Sequence, residues 1–473
     1  MKRLAQAVFC VFLAAVALGL PGEAQVQAYK WSLVVVDGGH VGYSTSIALG
    51  AKGDPVISYY EGWPDDYLKF AICDLSGSAR RNCDEADDWS LATVDSTTPV
   101  AGDTRIALDA DGDPMMSYAM QDGDLMFAVC DLSASARRNC DQTADWSTVT
   151  VDAEGVVGYY NGIAMDANGD PMISYWDGNP NYDLKFAICD LSGSTNGNCD
   201  QSDDWSTVAV DSGGYVGEYT SIAVGADGDP VISYLAAASD ALKFAICDLS
   251  ASTNGSCDQP GDWRKTTVDA GISAYQLFTS IVVDTNGDPM ISYFADINGD
   301  LKFAICDLSA STNANCDQPG DWSTVILDSG GVGLCTSIAV NANGDPMISY
   351  HDWANHDLKF ASCEMSASTN GNCDQPGDWS TETVDSEGNV GEWTSVAVDT
   401  NGDPVISYFG NFPQYYDLKF ATALPPRGPV GGIAELPDVS DSSARNYMAV
   451  AGGLAAVMAL AAGGWYARRR WVR

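Results

Sequence analysis

One passage of text returns seven times along this 473-residue chain, and that periodicity restricts the possible folds more than any other feature. Trp31, Trp89, Trp146, Trp205, Trp263, Trp322 and Trp379 recur at intervals of 57 to 59 residues. Between them Gly-Asp-Pro begins at Gly53, Gly112, Gly169, Gly228, Gly287, Gly344 and Gly402, and each copy leads into Ser-Tyr. A Leu-Lys-Phe-Ala-like run follows at Leu68, Leu125, Leu184, Leu242, Leu301, Leu358 and Leu418, with Met126 alone replacing the lysine.

Each repeat reads as four short strands. In the third they are Ile163 to Asp166 (A), Met172 to Tyr175 (B), Leu184 to Cys189 (C) and Trp205 to Asp211 (D). The A–B link carries Asn168-Gly169, which suits a hairpin, and the strands are β-branched and aromatic. Four antiparallel strands in each of seven periods predict an all-β, seven-bladed β-propeller, with a solenoid of stacked hairpins as the alternative. Ring closure decides for the propeller. The last repeat stops after strand C at Leu418 to Ala423, while Trp31 to Asp37 reads as an extra strand D at the other end of the chain. Joining the two completes the seventh blade and removes the open edges.

Twelve of the fourteen cysteines form pairs of constant spacing: Cys73/Cys83, Cys130/Cys140, Cys189/Cys199, Cys247/Cys257, Cys306/Cys316 and Cys363/Cys373. A zinc site needs four ligands, and no histidine stands near these pairs, so disulfides stapling the C–D loops are expected. Chain entropy assigns each about 2.5–3 kcal/mol at most. Cys335 is left over, as is Cys10 near the N-terminus.

The ends of the chain suit an exported protein. Residues 1–28 read as a signal peptide: Met1-Lys2-Arg3, an apolar run from Leu4 to Leu20, then small residues at Ala24 and Ala28. The propeller is expected over 29–424, a Pro/Gly/Ser stalk over 425–445, a membrane-spanning helix over 446–467 and a basic cytoplasmic tail over 468–473. That tail end resembles the C-terminal sorting signals of prokaryotic surface proteins, which implies that the helix is processed; a plain anchor is the simpler expectation. Either way the propeller is displayed at the cell surface. The net charge of −41, from 54 Asp and 10 Glu against 23 basic residues, repels phosphate backbones and excludes nucleic acid as a partner.

The Gly-Asp-Pro…Ile-Ser-Tyr…Leu-Lys-Phe-Ala text resembles secreted bacterial and archaeal β-propeller repeat proteins. The resemblance spans about Trp31 to Ala423 and implies architecture rather than activity. Copies of one repeat can also be compared with one another. The A–B and C–D loops are nearly constant, whereas the B–C and D–A loops vary, so recognition is expected on the B–C/D–A face. Its varied positions carry Trp63, Trp176, His351, Trp353, Phe412 and Tyr415 from B–C loops, and Tyr159, Tyr160 and Trp393 from D–A loops. Aromatic platforms beside Asp and Asn suit sugar rings or protein surfaces, although rings that pack between blades have the same composition. Strand A starts with Thr-Ser in five repeats, but with Thr104-Arg105 and Asn161-Gly162 in the second and third. Arg105 is thereby expected at the mouth of the central channel, where a ligand carboxylate would meet it, or else paired with a neighbouring Asp.

No nucleophile motif, phosphate loop or multiple-arginine centre of the kind sialidase propellers need is found, and only three histidines exist. His351-Asp352 and His356-Asp357 read as loop-tip residues rather than a metal pair. Lectin-like propellers share the geometry without a matching sugar-site motif. The reading is therefore not an enzyme but a non-catalytic recognition or adhesion propeller for a surface glycan or an extracellular protein. A glycan-acting enzyme and a structural envelope component are the alternatives. No cofactor is expected. Turns such as Asp109 to Asp113 leave structural calcium open, but Asx-turn chemistry accounts for them more simply.

Overall fold

Twenty-eight strands among the described residues form seven four-stranded antiparallel sheets, each in the order A-B-C-D. The computed structural model describes residues 29–424 apart from 79–81, 98, 136, 195–196, 253–254, 274–277, 314 and 412–415. The expected signal peptide, stalk, membrane helix and basic tail lie outside the described residues, within which no helix is long and apolar enough to cross a membrane. The A strands touch one another around the whole ring and line its centre, and the D strands form the rim.

Closure occurs where the sequence places it. Lys30–Gly38 pairs antiparallel with Tyr416–Leu424, with Trp31 opposite Ala423 and Leu33 opposite Ala421, and completes blade 7. The strand boundaries differ in one respect. Strand A of blade 3 is Val157–Met165 and strand B is Pro171–Asp177, both longer than the sequence pattern indicated. A bulge between Val157 and Gly162 breaks the alternation on which that pattern depends. Tyr159, Tyr160, Trp176 and His351 are therefore strand residues and not loop residues.

Repeated contacts join neighbouring blades. At the rim, each strand-D tryptophan meets the strand-C phenylalanine of the preceding blade edge-on. Phe70–Trp146 (5.0 Å between ring centres) is typical, and Phe360–Trp31 and Phe420–Trp89 carry the series through the closure. Such pairs contribute about 0.5–1.5 kcal/mol each beyond area burial. Further in, the Asp that ends each strand D accepts from the Ser-Tyr tyrosine of the next blade, as in Tyr234 to Asp211 at 2.8 Å. The Leu-Lys lysine of that next blade, here Lys243, bonds the same carboxylate and lies over the tyrosine ring. Burial pushes the Asp211 carboxyl up, but the bonds from Lys243 and Tyr234 together outweigh it and hold it low. The recurring Ser-Tyr, Leu-Lys and terminal Asp are thus three parts of one inter-blade latch.

All six expected disulfides form: Cys73–Cys83, Cys130–Cys140, Cys189–Cys199, Cys247–Cys257, Cys306–Cys316 and Cys363–Cys373. They suit an oxidising compartment. They staple the C–D loops as expected, and they are also part of the core. Cys83, Cys140, Cys199, Cys257, Cys316 and Cys373, the loop-side partners, are not loop-surface residues but buried members of the hydrophobic core. Each takes a left-handed backbone, at φ between 51° and 56°, an uncommon conformation for a residue other than glycine. The physical reason is the strand-D tryptophan six residues later. Its indole N–H needs a buried acceptor, and the carbonyls of Cys83, Cys140, Cys257 and Cys373 supply one at 3.1, 3.0, 2.9 and 2.7 Å. That turn draws the sulfur inward with the ring, so the disulfide is part of the core.

The Asp of Gly-Asp-Pro ties the A–B turn to the C–D loop, as in Leu191 N to Asp170 Oδ1 at 2.8 Å. The preceding acid bonds its own turn, with Asp109 Oδ1 accepting from Asp111 N and Asp113 N. Only the glycine of each A–B turn takes a positive φ, for example Gly169 at 87°. Among the described residues no group of three or more His, Cys, Asp or Glu is arranged to hold a metal ion.

Candidate functional site

The bulge that lengthens strand A also builds the mouth of the central channel. In blades 1, 3, 4, 6 and 7 a glycine (Gly42, Gly158, Gly217, Gly333, Gly391) stands three residues before the recurring Thr or Asn. It has positive φ and lies so near strand C of the preceding blade that a Cβ would approach a leucine backbone to 2.7–2.8 Å. Any larger residue would part the blades. The residue just before the Thr or Asn is then turned toward the channel. Round the ring this position holds Ser44, Asp103, Tyr160, Tyr219, Phe278, Cys335 and Trp393, and all seven line one cavity of about 250 Å3. Tyr160, Tyr219 and Trp393 sit there at φ of 52°, 52° and 46°. Bulky side chains in that conformation are uncommon, and they are maintained only where the surroundings over-determine them. For Tyr160 the restraint is explicit, because its N–H donates to Asp103 Oδ2 at 3.2 Å.

The aromatic rings form two arcs. Tyr160 lies 4.3 Å from Tyr219 and 5.8 Å from Trp176, and Tyr219 lies 4.8 Å from Phe278. Across the mouth, Tyr43 lies 5.2 Å from Trp393 and 4.7 Å from Phe409. Blade 2 interrupts the arcs with Asp103 and Arg105, two residues apart on one strand and both facing the cavity. Burial raises the Asp103 carboxyl against the opposing pull of Arg105. Burial also pushes the Cys335 thiol on blade 6 up to about 12, which favours the neutral thiol.

The candidate residues separate accordingly. Arg105, Tyr160 and Trp393 line the mouth. Trp176 stands behind Tyr160, with its ring nitrogen unpartnered among the described residues, and half-buried Tyr159 pairs with it in register. Trp63 and Trp353 are 80% and 61% exposed on the outer loops of the same face, away from the cavity. His351 is not a loop-tip residue. It is buried in strand B of blade 6, and burial lowers its pKa. Phe412 and Tyr415 lie outside the described residues. Sequence reasoning missed Asp103, Ser44 and Cys335 as members of the ring; the glycine three residues before Thr marked the position for Ser44 and Cys335, whereas blade 2 has Ala101 there and nothing marked Asp103.

No protein-family model matches the chain, and no curated protein matches it. Solved structures are similar in fold. An ulvan lyase bound to a glucuronate–sulfated rhamnose glycan is 14% identical, with a TM-score of 0.48 over 82% of this chain and 95% of its own. An Aleuria aurantia lectin in complex with a fucosyl-GlcNAc disaccharide is 12% identical, with a TM-score of 0.41 over 73% of this chain and 96% of its own. A leech intramolecular trans-sialidase is 10% identical, with a TM-score of 0.39 over 70% of this chain and 68% of its own. Similarity this slight assigns no activity; the propeller fold itself stands on the strand order. The expectation that the chain is not an enzyme is nevertheless corrected. It rested on the lack of a linear catalytic motif, whereas the solved structures to which this chain is similar include a lyase and a trans-sialidase. The physical reason is that a propeller assembles its channel from a short segment of each blade, so groups that act together there are spread along the sequence and form no single linear motif.

Proposed function

We propose that the protein is an exported, carbohydrate-directed propeller whose ligand enters the channel mouth on the B–C/D–A face. The observation that carries this reading is the pair of aromatic arcs flanking Asp103 and Arg105, with Tyr160, Tyr219 and Trp393 fixed in left-handed backbone conformations. Rings held in this way offer apolar faces to sugar C–H groups, while the charged pair and the phenols offer hydrogen bonds. Asp103, whose carboxyl burial raises above its ordinary range, is also a group able to exchange protons with a bound glycan. The six disulfides agree with display outside the cell, where such ligands occur.

The test is a glycan array probed with the full chain, with bound signal and released sugar products read in parallel. The reading expects selective retention of at least one glycan class, and product release would identify an enzyme. A folded protein that retains and cleaves nothing on the array would overturn it.

A further inference from the structure

A belt of serines seals the inner edge of the ring, and it is interrupted in one sector. In five blades the residue after the recurring Thr is Ser, and its Oγ accepts the N–H of the next blade's inner strand. The bonds are Ile47 to Ser395 (3.2 Å), Ile106 to Ser46 (3.3 Å), Ile281 to Ser221 (3.2 Å), Ile338 to Ser280 (3.2 Å) and Val396 to Ser337 (3.1 Å). Ile163 and Ile222 occupy the same register, opposite Ile173 and Ile232 as Ile47 is opposite Ile57. Their N–H groups therefore face the same inner edge, but the residues beside them are Arg105 and Gly162. The Cβ that Gly162 lacks would stand 3.2 Å from Ile222 N, so the gap adjoins that donor directly. Arg105 donates one N–H to Thr104 O at 2.8 Å, and among the described residues its guanidinium forms no ion pair. Five such donors exist on a guanidinium. Blade 2 thus turns a cation into the channel, next to two backbone N–H groups that lack the serine acceptor their counterparts have in five blades, in a molecule whose net charge is −41.

We infer that this sector is a carboxylate site that receives the acid group of a uronate sugar, with Arg105 as its fork and the N–H groups of Ile163 and Ile222 as supporting donors. The inference rests on the carbohydrate reading above and deepens it to a substrate class. A planar carboxylate matches the guanidinium fork with two parallel bonds. Arg105 is the single Lys or Arg among the cavity's lining residues, which suits one carboxylate, and the surrounding acidity rejects denser polyanions. Tyr160 and Tyr219, on the blades that carry the gap and its far side, are placed against the sugar ring of a group so held.

The experiment measures equilibrium binding of trigalacturonate, its methyl ester and a galactose sulfate to the full chain and two variants. Trigalacturonate is expected to bind about tenfold more tightly than the ester, the scale of one charged hydrogen-bond pair. Arg105→Ser restores the residue that five blades use at this position, so it should fold with an unchanged Tm and lose that preference. Gly162→Ser, which returns an acceptor to Ile222 N, should weaken trigalacturonate by about threefold. Equal affinity for acid and ester, a preference retained by Arg105→Ser, or a preference for the sulfate would each overturn the inference while leaving the carbohydrate reading in place. Binding of none of the three probes, on a protein that also retains no arrayed glycan, would overturn both.

Discussion

Trp31 Nε1 donates to Glu382 Oε1 at 2.9 Å, across the seam where the N-terminal strand closes the ring. The other six strand-D tryptophans donate instead to the carbonyl of a cysteine six residues earlier, as Trp205 does to Cys199 at 3.0 Å. Trp31 has no disulfide loop before it, so blade 6 supplies a carboxylate where its counterparts carry Ala92, Val149, Val208, Thr266 and Val325. The closing blade replaces an acceptor from within one blade by a contact between two.

Glu382→Ala is therefore expected to lower stability by about 1 kcal/mol, because it leaves the indole N–H without its acceptor. Glu382→Gln keeps a carbonyl acceptor and should be nearly neutral at pH 7. Burial raises the Glu382 carboxyl above its ordinary range even though Trp31 opposes this. With the folded pKa above the unfolded one, the group's stabilisation is present below the unfolded pKa and lost as pH rises through the folded value. Wild type should accordingly gain on the Gln variant as pH falls from 7 toward 4, and denaturant titrations at the two pH values check the sign.

Six blades carry a disulfide, whereas blade 7 joins the two ends of the described chain by pairing alone. Loop-closure entropy is greatest there, so local opening should begin in the blade formed by 31–37 and 394–423. Hydrogen exchange on the oxidised protein should show faster exchange in these segments than in the stapled blades. Deleting 29–38 should destabilise the whole ring.

Closure was legible in the sequence because Trp31 to Asp37 repeats a text found six times elsewhere, and repetition makes a missing strand visible. The channel mouth was less legible. Arg105 stood out as an exception to Thr-Ser, but Tyr160 and Trp393 look like loop residues until the bulge is seen, since the bulge removes the period-2 alternation that marks a strand. His351 looked exposed because it adjoins a variable loop, whereas its register opposite Leu334 and Leu358 buries it. The cysteine pairing was legible from constant spacing, but the burial of Cys83, Cys140, Cys257 and Cys373 was not, because it depends on where each indole N–H finds its acceptor. The rim pairs were hidden for a different reason: Phe and Trp are far apart in sequence, and only the ring brings Phe360 to Trp31.

Inside the ring, the recurring threonines bond serines of the preceding blade, as Thr220 Oγ1 does with Ser174 Oγ at 3.0 Å. Thr104 Oγ1 and Ser58 Oγ, the corresponding atoms between blades 1 and 2, are buried and unpartnered among the described residues. Thr220→Val should cost about 1–2 kcal/mol by stranding Ser174, whereas Thr104→Val should be neutral or stabilising. Thermal unfolding of the two variants decides this, and equal losses would contradict it.

Blade 2 lacks the latch lysine, because Met126 occupies its place and accepts only from Thr150 Oγ1. Asp95, buried on the neighbouring blade, accepts from Tyr118 at 2.7 Å with no ion-pair partner among the described residues. Met126→Lys should complete the latch and raise stability by about 1 kcal/mol, visible as a Tm increase of a few degrees. A fall in Tm would mean that the other lysines are not latches.

The claim that the channel mouth is the binding site is tested most directly by hydrogen exchange of the full chain with and without a glycan that it retains. The account predicts protection in 157–160, 216–219 and 389–393, the bulged segments that carry Tyr160, Tyr219 and Trp393, with the Gly-Asp-Pro turns unchanged. Protection confined to the Gly-Asp-Pro turns and C–D loops, with those bulged segments unaffected, would contradict it.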